Sequence, residues 1–270
     1  FNYKDLESEY LSPPHNRDEI GVIVDLYKLF GTKFFKLING QFAIVIYLPE
    51  SKKIILGRDP FGIRPLFYSN HINDSFIFAS DLNALWGFGI PKEISISQLG
   101  RIHASWATNP SKTVWQNIDQ VKPGSYIEIN LESAKPFKFE TSFFWNWYEF
   151  INNSNKNSSP LRQDDLERFR FEFKEAVRRQ SMSDVGVGCY VSGGIDSSVT
   201  AYELQNLQKG LRTYSIEFKD EQYNESANQV LITNQIQSKH MKIVIKDNDI
   251  SNNFLTVTKF IQQPFFRTAP

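Results

Sequence analysis

The sequence predicts two consecutive folds: an α+β part built on antiparallel sheets with helices, then an α/β part built on a parallel sheet. Three observations carry this. Residues 41–58 read as two β-prone runs joined by Pro49-Glu50-Ser51-Lys52, the pattern of a hairpin. Residues 185–218 read as strand, glycine turn, helix and strand, a βαβ unit whose crossover makes the strands parallel. Between the two, residues 151–160 (Ile-Asn-Asn-Ser-Asn-Lys-Asn-Ser-Ser-Pro) have the polar composition of a flexible linker.

The bulk composition sets limits. Hydrophobic residues make up 41% and charged residues 22% of the 270, an ordinary globular balance. Thirty basic residues against thirty acidic ones leave no excess for nucleic acid or an anionic membrane. No long apolar run suggests a membrane span or signal peptide. A single cysteine excludes an intrachain disulfide framework and fits a reducing, cytoplasmic setting.

In the first part, Ser12-Pro13-Pro14-His15-Asn16 predicts a loop. Ile20, Ile23, Val24, Tyr27 and Leu29 at helical spacing predict a helix, with Asp18 and Glu19 in its first turn and Gly31 as its stop. Residues 41–47 and 53–58 are the hairpin strands. Residues 59–65 form a constrained loop in which Arg58 and Asp59 read as a structural ion pair. Residues 66–69 and 75–79 are two more strands, and a helix starts at Asp81. Val121-Lys-Pro-Gly-Ser-Tyr-Ile127 is a Pro-Gly turn leading into a strand.

In the second part, Arg162–Arg179 reads as an amphipathic helix with Leu166, Phe169, Phe173 and Val177 on one face. Val185–Val191 predicts a buried strand, Ser192-Gly193-Gly194 a tight turn, and Asp196 onward a helix running through Leu207, with Gly210 as its stop. Leu211–Phe218 is the second strand. A polar loop over 219–226, a helix over Ala227–Lys239 and a strand over Met241–Ile245 complete the pattern. A lone cysteine in the first of these strands, Cys189, reads as a small buried apolar residue.

The turn carries the chemistry. Glycines let backbone N–H groups close on an anion, and a helix N-terminus adds unpaired donors and the positive end of a dipole. Ser192, Ser197 and Ser198 add hydroxyls. Asp196 would repel a bare phosphate, so its presence points to a divalent cation between carboxylate and phosphates. A pyrophosphate fits this set. A Walker loop is excluded because Ile195, not lysine, follows Gly194; a dinucleotide fingerprint fails at Val191; and Tyr190-Val191-Ser192-Gly193-Gly194 is not a serine-hydrolase elbow.

Ser192-Gly193-Gly194-Ile195-Asp196-Ser197-Ser198 resembles the motif of the ATP-pyrophosphatase (PP-loop) ligases. The surrounding sequence is similar to the synthetase domain of glutamine-dependent asparagine synthetases. Upstream, Asn39-Gly40-Gln41-Phe42-Ala43, Arg58-Asp59-Pro60-Phe61-Gly62-Ile63-Arg64-Pro65-Leu66 and Phe78-Ala79-Ser80-Asp81-Leu82-Asn83-Ala84-Leu85 resemble the second half of a class II glutamine amidotransferase domain of the Ntn type. The resemblance implies an amidotransferase-like domain over 1–150, a linker over 151–160 and a synthetase-like domain over 161–270. Both domains are expected to be incomplete, lacking the N-terminal part of the first and the C-terminal part of the second.

The resemblance also implies an activity. ATP and Mg²⁺ would adenylate the side chain of aspartate, and ammonia from glutamine would displace AMP to give asparagine. Ser192, Gly193, Gly194, Asp196, Ser197 and Ser198 would take the pyrophosphate, with Asp196 toward the metal. The backbone near Tyr190 and Ile216 would hold adenosine. Asp18 or Glu19 would hold the glutamine α-amine, and the residues leave that choice open. The family's glutaminase needs a cysteine at position 1, where this chain has Phe1, so no glutaminase is expected of the chain alone. Gln262 and Gln263 stand where the family carries acids. Alternatives are a related β-lactam-forming or other amide ligase, or a degenerate ATP-binding or interaction protein. The partners implied are small molecules, not nucleic acid or membrane; a homodimer is compatible, with the oligomeric state open.

Overall fold

The computed structural model describes residues 1–11, 17–72, 74–153, 160, 162–218 and 224–264. The predicted loop at 12–16, most of the predicted linker, residues 219–223 of the predicted polar loop and residues 265–270 lie outside the described residues. The chain divides into two units. One comprises Phe1–Lys156 together with the residues from Thr258 onward, and the other Asn157–Val257.

The first unit opens with α1 (Tyr3–Tyr10) and α2 (Glu19–Phe30). α2 starts and stops where its residue chemistry says it should. Asp18 caps it by accepting the Gly21 N–H, and Gly31 ends it at φ 55. A 3₁₀ turn (Gly31–Lys36) leads to β1 (Ala43–Leu48) and β2 (Lys53–Arg58), paired antiparallel from Ala43↔Arg58 to Leu48↔Lys53. Next come β3 (Phe67–Ile72), β4 (Ser75–Ala79), α3 (Leu82–Gly87), α4 (Ile96–Ser105), β5 (Asp119–Gln120), β6 (Ser125–Asn130), β7 (Thr141–Phe143) and α5 (Trp147–Asn153). Two antiparallel sheets result, ordered β1-β2-β6-β7 and β4-β3-β5. α5 occupies the first three residues of the predicted linker.

Phenylalanine rings build part of this unit's core. Phe34 and Phe35 are fully buried, and the Phe35 ring stacks on Phe42, Tyr126 and Phe144 at centroid distances of 6.1, 5.4 and 5.2 Å. Gly57 lies directly against the Phe35 ring, where any Cβ would overlap it.

The loop after β2 corrects the ion-pair reading of Arg58 and Asp59. The two side chains do not pair; each organises the backbone separately. The Asp59 carboxylate, 1% exposed, accepts the N–H groups of Phe61, Ile63 and Arg64 at 3.0–3.1 Å. Arg58 donates to the carbonyls of Gly62, Arg64 and Val121 and to Gln120 Oε1. Opposite charges are divided because each satisfies its own set of polar groups in and beside the loop.

The second unit contains α6 (Gln163–Gln180), β8 (Gly188–Tyr190), α7 (Ile195–Leu207), β9 (Arg212–Phe218), α8 (Ser226–Gln235), β10 (Lys239–Ile245) and α9 (Asp247–Ile261) as far as Val257. Its sheet is parallel, ordered β10-β9-β8, with Tyr190↔Tyr214 and Tyr214↔Met241 in register. Cys189, Val191, Ala201, Leu204, Leu211 and Ile236 form its core. Several details differ from the sequence reading. β8 covers only Gly188–Tyr190 of the predicted buried strand Val185–Val191, and Val185 and Tyr190 are exposed. α7 does end at Leu207, the last of its predicted apolar positions. α8 ends at Gln235, and Lys239 already belongs to β10. α6 has no buried residue: Leu166 and Phe169 of its apolar stripe are exposed, and Val177 alone of the four packs against the core.

Candidate functional site

The site is built where β8 gives way to α7. The Val191 N–H still donates to the Tyr214 carbonyl at 2.8 Å, so the ladder holds to the last residue before the turn. Ser192 then leaves the sheet. Gly193 takes φ +92, and a Cβ there would come within 2.9 Å of Asn228 Cβ, so both the backbone angle and the closeness of α8 require glycine. Gly194, at φ −74, is under neither constraint.

α7 begins without a side-chain cap; its N-cap is Gly194. The N–H groups of Ile195, Asp196 and Ser197 precede any intrahelical partner, so they are the donors a first turn offers to an anion. The serines are arranged around the turn. Ser197 Oγ accepts the Ser192 N–H at 3.2 Å, touches Ser192 Oγ at 3.0 Å and donates to the Gly194 carbonyl at 3.1 Å. Ser198 Oγ donates to the same carbonyl at 2.8 Å. These hydroxyl protons are therefore spent within the loop, as are the N–H groups of Ser192 and Gly194, the latter donating to Ser192 Oγ at 3.4 Å; the N–H groups of Ile195, Asp196 and Ser197 are the donors left to a ligand. The Asp196 carboxylate is exposed in the first turn and makes no ion pair among the described residues.

The structure brings all six predicted loop residues together. Tyr190 stands at the end of β8, 81% exposed, with its ring 6.1 Å from Tyr214; Ile216, on β9, is 43% exposed. Cys189 is buried, and burial pushes its thiol above the usual range. His240 sits between two hydroxyls, with Nδ1 3.0 Å from Thr213 Oγ1 and Nε2 3.0 Å from Ser215 Oγ. No signal in the sequence marked Gln229. It lies on α8, 3% exposed, and its Nε2 donates to the Ser192 and Ile216 carbonyls.

No cluster of three or more metal-ligating side chains occurs among the described residues. One carboxylate beside an anion cradle nevertheless suits Mg²⁺, which is held chiefly by substrate phosphates and water. The residues present thus fit a magnesium–pyrophosphate pair.

In the first unit, Asp18 and Glu19 separate. Asp18 Oδ1 is engaged as the α2 cap, 2.7 Å from the Gly21 nitrogen. Glu19 is exposed and lines a cavity of about 910 Å³ together with Phe1, Gln41, Arg64 and Ser80. Gln262 is also placed here: its Oε1 accepts the Leu82 N–H at 3.1 Å and its carbonyl accepts Trp115 Nε1 at 2.7 Å. No helix among the described residues is long and apolar enough to cross a membrane.

Comparison with known proteins matches two consecutive parts of the chain. Residues 1–143 match a family model described as a glutamine amidotransferase domain, and residues 168–270 match one described as asparagine synthase. The chain is 31% identical over 238 residues to asparagine synthetase [glutamine-hydrolyzing] 2 of Bacillus subtilis, covering 84% of this chain and 31% of that protein. It is 26% identical over 231 residues to asparagine synthetase [glutamine-hydrolyzing] 1 of the same organism, covering 83% and 34%. It is 30% identical over 190 residues to amidase chry2 of Gibberella zeae, covering 70% and 26%. The chain therefore spans 26–34% of the length of these curated relatives. With both of its parts matched in order, the chain belongs to the glutamine-dependent asparagine synthetase family.

Proposed function

We propose that Ser192–Ser198 is the pyrophosphate loop of an AMP-forming amide ligase of the PP-loop type. The observation that carries this is the uncapped start of α7, set behind a glycine at φ +92, with the unpaired Asp196 in its first turn. An uncapped helix start leaves its donors for a ligand. ATP would lie with its β- and γ-phosphates against the N–H groups of the turn and its adenosine beside Tyr190 and Ile216. Ser192, Ser197 and Ser198 would contribute by rotating hydroxyl protons from the loop to the phosphates. Asp196 would face Mg²⁺, which when bound offsets the charge of the departing pyrophosphate.

The reaction is adenylation followed by amidation. The aspartate side-chain carboxylate attacks the α-phosphorus, forming β-aspartyl-AMP and releasing pyrophosphate. Ammonia derived from glutamine then attacks the acyl carbon, and AMP leaves with one of the original carboxylate oxygens. Glu19 is the residue for the glutamine α-amine, since Asp18 is occupied as a cap. The one cysteine of the sequence, Cys189, is buried in the second unit and is not a candidate for a glutaminase thiol. The single cysteine supports a cytoplasmic setting.

Aspartate is one of two acceptor readings. The likeness to a protein named an amidase supports a second, in which another acid is amidated or closed to a lactam. Oxygen-18 separates them. In the protein that carries this chain, [¹⁸O]aspartate should deliver one labelled oxygen to AMP, read by the ³¹P isotope shift. Unlabelled AMP formed with a different acid would favour the second reading. Formation of ADP and phosphate would overturn both.

A further inference from the structure

We propose that Gln229 is a positioning residue that sets the phosphate loop from behind. Parallel pairing of β8 and β9 runs Gly188↔Arg212, Cys189↔Thr213 and Tyr190↔Tyr214. Continued by two residues, the same register would bring Ser192 opposite Ile216. The ladder does not continue, because the chain turns away after Val191 to make the loop. At that fork the Gln229 side chain enters from α8. Its Nε2 donates to the Ile216 carbonyl at 3.1 Å and to the Ser192 carbonyl at 3.4 Å. One primary amide thus bridges the two carbonyls that the diverging strands leave behind.

Two further observations point the same way. Gly193 is in contact with the same turn of α8: a Cβ on it would lie 2.9 Å from Asn228 Cβ and 3.3 Å from both the Gln229 nitrogen and the Glu225 carbonyl oxygen. The Ser192–Gly193 peptide is therefore held by the Gln229 amide and backed by the helix that carries it. Gln229 is also a poor choice for packing alone. It is 3% exposed, and its Oε1 has no hydrogen-bond partner among the described residues. A buried amide with an orphan acceptor costs stability that an apolar side chain of the same length would not. Such a residue is retained for what its donor does. By fixing the Ser192 carbonyl, Gln229 fixes the direction of the N–H groups that follow it, the donors proposed to meet the phosphates.

The functional half of this proposal rests on reading Ser192–Ser198 as a pyrophosphate loop; the positioning half does not. Gln229→Met keeps the length and removes both donor and orphan acceptor. Its melting temperature should stay near wild type, while hydrogen exchange at the Gly193 and Gly194 amides becomes at least about tenfold faster, the weight of one to two hydrogen bonds. Calorimetric affinity for Mg-ATP should fall about tenfold. Should the Met variant not fold, Gln229→Ala carries the same readouts. Loop exchange at the wild-type rate, or exchange accelerated equally across the second unit, would overturn the positioning role. Wild-type binding of Mg-ATP with equal affinity in the variant would overturn this proposal and leave the loop reading standing. Failure of the wild type to bind would remove the loop reading and with it the functional half of this proposal, while the exchange measurement alone would still decide the positioning half.

Discussion

The Ser192 and Ser197 hydroxyl oxygens lie 3.0 Å apart across the turn between β8 and α7, and the Ser192 N–H donates to the same Ser197 oxygen. The two serines close the turn on itself before any ligand arrives. Pre-organisation of this kind removes ordering cost from binding. The turn's two glycines are unequal, because only Gly193 has a positive φ and lies against α8, and the difference is directly measurable.

Gly193→Ala should destabilise the second unit by about 1–3 kcal/mol, because it combines a strained backbone angle with a collision against α8. Gly194→Ala should cost under about 1 kcal/mol, since its φ is −74 and its Cβ would meet only Ser192 Oγ at 3.5 Å. Urea unfolding of the two variants decides this. Equal losses would mean that the turn is not held against α8 as described.

Asp59→Ala should cost about 3 kcal/mol or more in the first unit. Three N–H groups would lose a charged acceptor in a buried loop. Asp59→Asn, which keeps one acceptor oxygen, should fall between Ala and wild type. A loss below about 1 kcal/mol for the alanine variant would contradict the role given to this carboxylate.

Asp18 and Glu19 should behave oppositely although they are adjacent. Asp18→Ala removes the α2 cap and should cost about 1 kcal/mol. Glu19→Gln should leave stability within about 0.5 kcal/mol. The comparison requires only thermal or urea melts, and a larger loss from Glu19→Gln would reverse the assignment of cap and ligand.

How the helices end explains why some of the fold was legible and some was not. α2 could be read because Asp18 starts it and Gly31, in the left-handed region, stops it. α8 was read four residues too long because Gln237, not glycine, takes φ 53 after Ile236. The Ser238 and Gln237 N–H groups then close the helix on the Thr233 and Asn234 carbonyls. α4 ends on Trp106 at φ 53 and α9 on Gln262 at φ 60, so neither carries the usual glycine stop. α9, rich in Asn, Asp, Ser and Thr, also lacks helix-favouring composition. The turn at Ser192–Ser198 was legible because its residues are contiguous. Gln229 was not, because its role exists only once α8 is folded over the fork of β8 and β9.

His240 makes the second unit's stability pH-dependent in a known direction. Burial, then the nearby Lys242 charge, lowers its pKa below the ordinary 6.5, against a smaller raising influence from Thr213. The unfolded chain therefore takes up the proton first as pH falls. The contribution is intact above pH about 6.5 and is lost as pH drops below it. His240→Gln should flatten the urea midpoint of this unit between pH 7 and 5, since the other three histidines (His15, His71 and His103) lie outside it. An unchanged slope would show that carboxylates alone set it.

Calorimetric titration of Mg-ATP into the wild-type chain and Asp196→Asn reaches the central claim most directly, with inorganic pyrophosphate as competitor. Asparagine in the first turn of α7 preserves the shape of the side chain and removes only its charge. The wild type should bind Mg-ATP, pyrophosphate should compete for the same site, and Asp196→Asn should bind about tenfold more weakly with an unchanged melting temperature. Equal affinities, or Mg-ATP binding that pyrophosphate does not displace, would contradict the assignment of Ser192–Ser198 as a magnesium–pyrophosphate loop.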